Sequence, residues 1–447
     1  MYDVEKKVLE KIRPDTKTRL LIEHTISELT EKLKECIANK KANAEVLVVG
    51  SCARDTYLKE SRDIDIFLLF PEDLLREKLE KLGIEIGMAV LRGELKYAEH
   101  PYVHGIYRGF EVDIVPCYKV KDPSKKLSAV DRTPFHNKYV NEHLKEEQKD
   151  EVRLLKRFLK GLGIYGAEAA VQGFSGYLCE LLIIKYGTFR GVLESAKNWR
   201  ANVHMWIEKE PVKKFIEPLV FIDPVDPGRN VASAVSLESL SLFIVAAQHY
   251  LEKPDIKFFY PIKRELSAEK ARKEVLGYIK RAGTAILSIS TERPEKVDDI
   301  IASQVKKMER VIVQNLGMAG FKVLRSFSFF TEKEIWVFIE LENQKIPKLY
   351  LHAGPYVWLK NSDEFLGKYS KRKDVFLKPF VSGGRWVVGL LNEENDALEF
   401  LKAHAGEWNL GKDLAGRKIR VEEASKLKTK AVLNMLVRFL KPEFPWK

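Results

Sequence analysis

The sequence predicts an α+β multidomain protein, and three observations lead there. The chain has 447 residues, more than one hydrophobic core ordinarily organises, so two to four domains are expected. Hydrophobic residues make up 45% and charged residues 31%, a globular composition with a full core. Strand-length apolar runs alternate with helical patterns at both ends of the chain, whereas the stretch between them reads as helix almost throughout.

Residues 1–42 read as helical. Within them Ile26, Leu29, Leu33 and Ile37 form one apolar face, suited to packing on a sheet. Residues 45–70, EVLVVGSCARDTYLKESRDIDIFLLF, then read as strand, Gly-Ser turn, short helix and strand. Gly50 ends the first strand and Ser51 stands at the expected helix cap. The free backbone N–H groups after such a turn suit a phosphate, and Arg54 lies one turn on to add a charge-assisted bond. Asp63 and Asp65 flank Ile64. Strand side chains alternate, so both carboxylates share one face while Ile64 and Ile66 share the other. Two carboxylates side by side repel unless a cation lies between them, and near a phosphate magnesium is the usual partner.

Pro71 is expected to end that strand, and a helix over residues 73–82 to stop at Gly83. Residues 95–99 and 104–107 read as strands, and Arg108-Gly109 as a tight turn into a strand over 110–115 that Pro116 ends. This strand offers Asp113, with Glu111, as a further carboxylate on one face. Residues 131–136, DRTPFH, read as a proline-containing turn. Residues 151–162 form an amphipathic helix whose second stripe is basic, with Arg153, Lys156, Arg157 and Lys160. GFSGYLCELLII reads as a buried helix behind a Gly/Ser turn, FIDPVDPGRN as a rigid turn, and 236–252 as another helix. Further on, the order is a helix over 268–282 capped by Ser267, a strand over 284–290, a helix over 296–316, and strands over 321–330 and 334–340. An aromatic-rich stretch over 349–358 turns at Gly354-Pro355, and a closing helix covers 421–440.

Charge separates the two halves. Residues 1–255 hold 40 Lys+Arg against 40 Asp+Glu, and residues 256–447 hold 36 against 24. The whole net charge of +12 therefore lies in the C-terminal part, as expected if that part holds a polyanion. The four cysteines, Cys36, Cys52, Cys117 and Cys179, have no paired spacing. This argues against a zinc knuckle or a disulfide framework and for a reducing, cytoplasmic setting. No apolar run approaches a membrane span.

The spacing of Gly-Ser, short helix and two carboxylates resembles the DNA polymerase beta-like nucleotidyltransferases. The wider wording, GSCARDTYLKESRDIDIFLLFP, AEHPYVHG, EVDIVPCYK, DRTPFH, GIYGAE, GFSGYLCELL and DPVDPGRN, resembles the archaeal-type (class I) CCA-adding enzymes over about residues 45–235. That resemblance implies a polymerase beta-like catalytic domain over 1–140 and a helical, poly(A) polymerase-like middle domain over 141–255. It also implies a basic α+β C-terminal region over 256–447 with a tail subdomain at about 306–380. The implied activity is template-independent addition of the 3′-terminal CCA to tRNA from CTP and ATP. Two Mg2+ ions would be held by Asp63, Asp65 and Asp113. Relatives often carry Glu where this chain has Asp63, a shorter side chain of the same charge.

The resemblance further places Gly50, Ser51, Arg54, Lys156 and Tyr165 around the triphosphate. Thr133 and His136 lie near the nucleotide with His136 reaching phosphate, Arg229 helps select the base, and His100 lies near the nucleotide or primer end. The implied partner is tRNA, through its acceptor end and minihelix region, with a homodimer left open and no membrane. Two alternatives stay open on sequence alone: a poly(A) polymerase or oligoadenylate synthase-like enzyme, and a non-catalytic RNA-binding protein with this fold.

Overall fold

A computed structural model describes residues 2–97, 100–122, 127–128, 130–262 and 265–447. It contains two compact units, Met1–Ile262 with Phe444–Lys447, and Lys263–Glu443.

The first unit begins with helices α1 (Asp3–Ile12) and α2 (Thr16–Asn39), broken at Pro14. Asp15 caps α2 by accepting from the Thr18 N–H. A five-stranded sheet follows, built from β1 (Glu45–Val49), β2 (Asp63–Phe70), β3 (Glu94–Tyr97), β4 (Pro101–Tyr107) and β5 (Phe110–Tyr118), in the order β1-β2-β5-β4-β3. The five-residue helix α3 (Gly50–Arg54) joins β1 to β2, and α4 (Arg76–Leu91) follows β2. Only β2 and β5 run parallel; the other pairs are antiparallel.

Leu29 and Leu33 of α2 and Leu79 and Ile86 of α4 make one core with Ile64, Ile66, Val112 and Ile114. Ile64 and Ile66 are 1% and 0% exposed. Their burial sets the strand register, because a slip of one residue would drive the carboxylates into the apolar layer. The opposite face buries Val49, Phe67, Leu69 and Cys117, and Asp63 and Asp65 lie on that side by alternation. At the β4–β5 turn Arg108 and Gly109 both take positive φ, 51° and 81°, the backbone of a two-residue hairpin turn.

The rest of this unit is mainly helical: α5 (Thr133–His143), α6 (Gln148–Leu162), α7 (Gly176–Tyr186), α8 (Phe189–Ala196) and α9 (Leu237–Glu252). Two short strands also lie here, β6 (Val203–Met205) and β7 (Leu219–Phe221). Ser175, Thr188 and Ser236 cap α7, α8 and α9 through side-chain oxygens. Phe158 of α6 centres an aromatic core, with the rings of Phe189, Tyr250 and Phe259 at 5.3, 5.4 and 5.5 Å.

The second unit holds α10 (Ala268–Ala282), β8 (Ala285–Glu292), α11 (Asp298–Met318), β9 (Val323–Phe330) and β10 (Glu334–Leu341). It continues with β11 (Leu349–Tyr356), α12 (Ser362–Ser370), β12 (Val375–Ser382), β13 (Arg385–Leu391), α13 (Ala397–His404), β14 (Arg420–Glu423) and α14 (Lys430–Leu440). One sheet runs β14-β8-β10-β9 and a second runs β11-β13-β12. Helix α11 packs Ile301, Val305 and Met308 against Leu287, Ile289 and Val337 on one side of the first sheet. Helices α10 and α14 cover Ile286 and Phe338 on the other with Val275, Leu433 and Leu436.

Gly83 does not stop α4, which starts at Arg76 and runs through it to Leu91. A Cβ there would stand 2.5 Å from the Pro116 Cβ, so the glycine is a packing residue. Pro116 does not end β5, which continues to Tyr118. The β4 ladder stops at Ile114, so the proline lies where β5 has a single neighbour and its missing N–H costs no ladder bond. The strand expected over 95–99 runs Glu94–Tyr97, and residues 98–99 lie outside the described residues. DRTPFH is not a turn: after a 3-10 segment (Val130–Arg132), Thr133 opens α5 with Pro134 in its first turn, where proline's fixed φ suits a helix. The middle stretch is not wholly helical, since Val203–Met205 pairs in parallel with Leu219–Phe221. Gly354-Pro355 lies inside β11 and makes no turn. Residues 420–423 form β14, and the closing helix begins only at Lys430.

The two kinds of helical glycine should respond oppositely to alanine. Gly277 in α10 meets nothing within 4 Å of a built Cβ, so Gly277→Ala should stabilise by up to about 1 kcal/mol through helix propensity. Gly83→Ala should destabilise by about 1–3 kcal/mol through overpacking against Pro116. Denaturant unfolding of the two variants checks the signs.

Candidate active site

The site starts from register. In the parallel β2–β5 ladder Asp65 lies opposite Asp113 and Asp63 opposite Glu111. Across the other edge of β5, His104 lies opposite Asp113, and its Nδ1 stands 2.7 Å from Asp113 Oδ1. Burial pushes the Asp65 carboxyl up to about 6, with Asp113 and Asp63 adding like-charge repulsion. Asp63 is also raised, by burial first and then by Glu111. Among the described residues no three His, Cys, Asp or Glu side chains stand grouped as a ready metal site, and Asp113 is engaged by His104. The donor chemistry nonetheless fits a hard dication: carboxylate oxygens brought together from two adjacent strands.

Gly50 shows why the turn residue must be small. Its φ is +73°, and a Cβ on it would lie 2.3 Å from Asp65 Oδ2. The turn and the carboxylate are therefore in contact. Helix α3 begins at Gly50 with Val49 as its cap residue, so Ser51 sits inside the first turn rather than ahead of it.

A cavity of about 300 Å³ opens at this end of the sheet, with Gly50, Arg54, Asp65, Thr133, His136 and Arg229 in its lining. The structure thus gathers six of the residues expected from the sequence. Phe67, Ser175 and Tyr177 also face it. Arg54 is 8% exposed and meets Glu180 of α7 twice, Nε to Oε1 at 3.1 Å and Nη2 to Oε2 at 3.0 Å. Lys156, 2% exposed, donates to the Thr56 carbonyl at 3.0 Å and stands 3.7 Å from Glu180. Burial works to raise the Glu180 carboxyl, but Arg54 and Lys156 outweigh it and hold the group low. Burial lowers Lys156, against the pull of Glu180.

A Cβ built on Gly176 would meet Tyr165 Oη at 3.1 Å and Lys156 Nζ at 3.7 Å. These two side chains therefore come together at the start of α7, outside the cavity lining. The basic stripe of α6 is not a solvated face, because Arg153 and Lys156 are its buried members. On the far wall, His136 stacks on Tyr177 with centroids 4.2 Å apart, and both His136 and Arg229 reach Asp223.

His100 is not among the lining residues. It is buried, with Nδ1 3.0 Å from Glu80 Oε1 of α4, the helix on the other face of the sheet. Sequence reasoning missed His104, Tyr177, Glu180 and Asp223. Strand alternation gave a signal for His104, which shares a face with Tyr102 rather than with the core residue Val103. The other three depend on contacts remote in sequence.

The raised Asp65 carboxyl has a measurable consequence. Below about pH 4 it is protonated in folded and unfolded chains alike and costs nothing. Between about pH 4 and 6 the unfolded chain ionises while the folded chain still holds its proton, so stability falls across that window and the loss is complete above about 6. In chelator, Asp65→Asn should therefore be more stable than the parent at pH 8 by on the order of 1–3 kcal/mol, with the advantage gone at pH 4. Denaturant unfolding at the two pH values measures it.

Three family models match the chain: a nucleotidyltransferase domain over residues 30–136, the second domain of tRNA nucleotidyltransferase over 150–260, and the C-terminal domain of CCA-adding enzyme over 282–422. The CCA-adding enzyme of Archaeoglobus fulgidus is 39% identical over 94% of this chain and 93% of its own. That of Thermoplasma volcanium is 36% identical over 98% and 96%. That of Sulfolobus acidocaldarius is 41% identical over 82% and 83%. With relatives this similar matching along nearly their whole length, and a carboxylate-bearing sheet under the nucleotidyltransferase match, the chain belongs to the family of CCA-adding enzymes.

Proposed function

We propose that this protein builds and repairs the 3′-terminal CCA of tRNA from CTP and ATP, without a nucleic-acid template, and releases pyrophosphate. The observation that carries the reading is the parallel register that sets Asp65 beside Asp113, against the Gly50 turn, at the mouth of a nucleotide-sized cavity. The RNA 3′-hydroxyl attacks the α-phosphate; the new O–P bond forms as the bond to the β-phosphate bridging oxygen breaks. Asp63, Asp65 and Asp113 would hold two Mg2+ ions, which when bound supply activation of the 3′-oxygen and neutralisation of the leaving group.

The chain's own cations do the remaining positioning. Arg54 and Lys156 share the single carboxylate of Glu180, so the cluster keeps a net positive charge and favours a polyphosphate. Ser51, on the first turn of α3, adds a hydroxyl donor, and Tyr165 beside Lys156 adds another. Tyr165 stays protonated, because burial holds its hydroxyl well above the usual range. Thr133 and His136 complete the nucleotide wall, and Arg229 meets the base; His100, buried against Glu80, has no part in this reading. In this reading residues 1–140 form the catalytic domain and 141–255 the middle domain. Residues 256–447, with a tail at about 306–380, take the acceptor end and minihelix region of tRNA. We place the activity in the cytoplasm; among the described residues no helix is long and apolar enough to cross a membrane.

Labelling of a tRNA that lacks CCA, with CTP alone, ATP alone and both, tests the reading. Magnesium-dependent CMP addition followed by a single AMP is the expected result, and a long product from ATP alone would refute it. Asp65→Ala or Asp113→Ala should lower incorporation by at least about 10³-fold while tRNA still binds. Because the RNA is held mainly through its backbone, affinity should fall about tenfold or more between 50 and 200 mM salt.

A further inference from the structure

One carboxylate stands behind three side chains that face the cavity. Asp223 is 0% exposed. Its Oδ2 accepts from His136 Nε2 at 2.8 Å and from Arg229 Nη1 at 2.9 Å. Its Oδ1 accepts from the Tyr177 hydroxyl at 3.3 Å and the Val225 N–H at 3.0 Å.

The loop that carries Asp223 and Arg229 is itself pinned. Asn230 accepts from the N–H groups of Phe221 and Ala232, each at 2.9 Å, and donates to the Leu219 carbonyl. Asp226 within the loop accepts from the Gly228 N–H and from Arg132. Arg229 is a third exposed, with its side chain at 32%. A long, half-free side chain has many rotamers, and the bond to Asp223 restrains its guanidinium against the cavity.

Charge separates this wall from the Arg54 side. Burial works to raise the Asp223 carboxyl, but His136 and Arg229 hold it down at about 2. Burial keeps His136 below its usual range, against Asp223. The Arg229–Asp223 pair is therefore charge-balanced and His136 adds no charge at neutral pH. The Arg54–Lys156–Glu180 cluster keeps a surplus cation. The triphosphate belongs with the surplus, and the uncharged base with the balanced pair.

A guanidinium held in one orientation can discriminate among bases. Cytosine and adenine present a ring nitrogen that accepts a hydrogen bond on the Watson–Crick edge. Uracil and guanine present an N–H there, which opposes an N–H donor. We propose that Asp223 is a positioning residue for base choice: it fixes Arg229 so that the remaining N–H donors meet that edge in one orientation. This rests on the reading that the cavity takes CTP and ATP.

The test compares kcat/KM for CTP and UTP on tRNA lacking CCA, for the parent, Asp223→Asn, Arg229→Lys and the double variant. Asp223→Asn should lower the preference for CTP over UTP by about tenfold or more. Arg229→Lys should do the same, and the double variant should be no worse than the worse single, because both remove one interaction. If Asp223→Asn does not fold, Arg229→Lys, altered at a part-exposed position, decides alone. Preference retained in Arg229→Lys, CTP and UTP use falling in equal proportion, or losses that multiply in the double variant would each overturn the inference. A parent protein that adds no CMP would overturn the reading of the site, and the inference with it.

Discussion

The parallel pairing of β2 with β5 governs the rest of the first unit. It brings acidic side chains of two strands to one end of one sheet face, where burial makes the charges of Asp63 and Asp65 expensive. Neutralising that charge is the problem the surrounding structure meets. His104 takes one oxygen of Asp113, and the space left by the absent Gly50 side chain admits Asp65. The opposite face, where Ile64, Ile66, Val112 and Ile114 are all but fully buried, prevents the strands from slipping to relieve the repulsion.

Two buried carboxylates from the helical part, Glu180 and Asp223, answer this arrangement from across the cavity. Each gathers side chains remote in sequence. Glu180 meets Arg54 and Lys156, and Asp223 meets His136, Tyr177 and Arg229. Their surpluses differ: one set keeps a positive charge and the other balances. A nucleotide has a highly charged end and an uncharged end, and the two sets divide along the same line.

The legible parts of the fold were those governed by local rules. Alternation in DIDIF gave the shared face of Asp63 and Asp65, and the cap Ser267 lies where the sequence places it. Arg108-Gly109 makes the expected turn. The misread points share a cause, because a residue's partner lay far along the chain. Gly83 and Pro116 look like breakers until they are seen packed on each other. The local pattern of α6 gives its basic stripe but not the partners Asp55, Thr56 and Glu180 that lie beneath Arg153 and Lys156. Asp223 reads as punctuation in a proline-rich turn, and nothing local to it reveals that His136 lies 2.8 Å away.

Arg153 has a consequence of its own. It is 2% exposed and grips the chain just past α3, with Nε donating to the Tyr57 carbonyl at 3.0 Å and Nη2 to the Asp55 carbonyl and side chain. The sheet and the α6 layer are thereby riveted at the back of the cleft. Any widening of the mouth is expected to come from bending elsewhere, since pivoting at this seam would strip several charge-assisted bonds from a guanidinium buried within it. Heat or denaturant should accordingly take both layers apart in a single cooperative event.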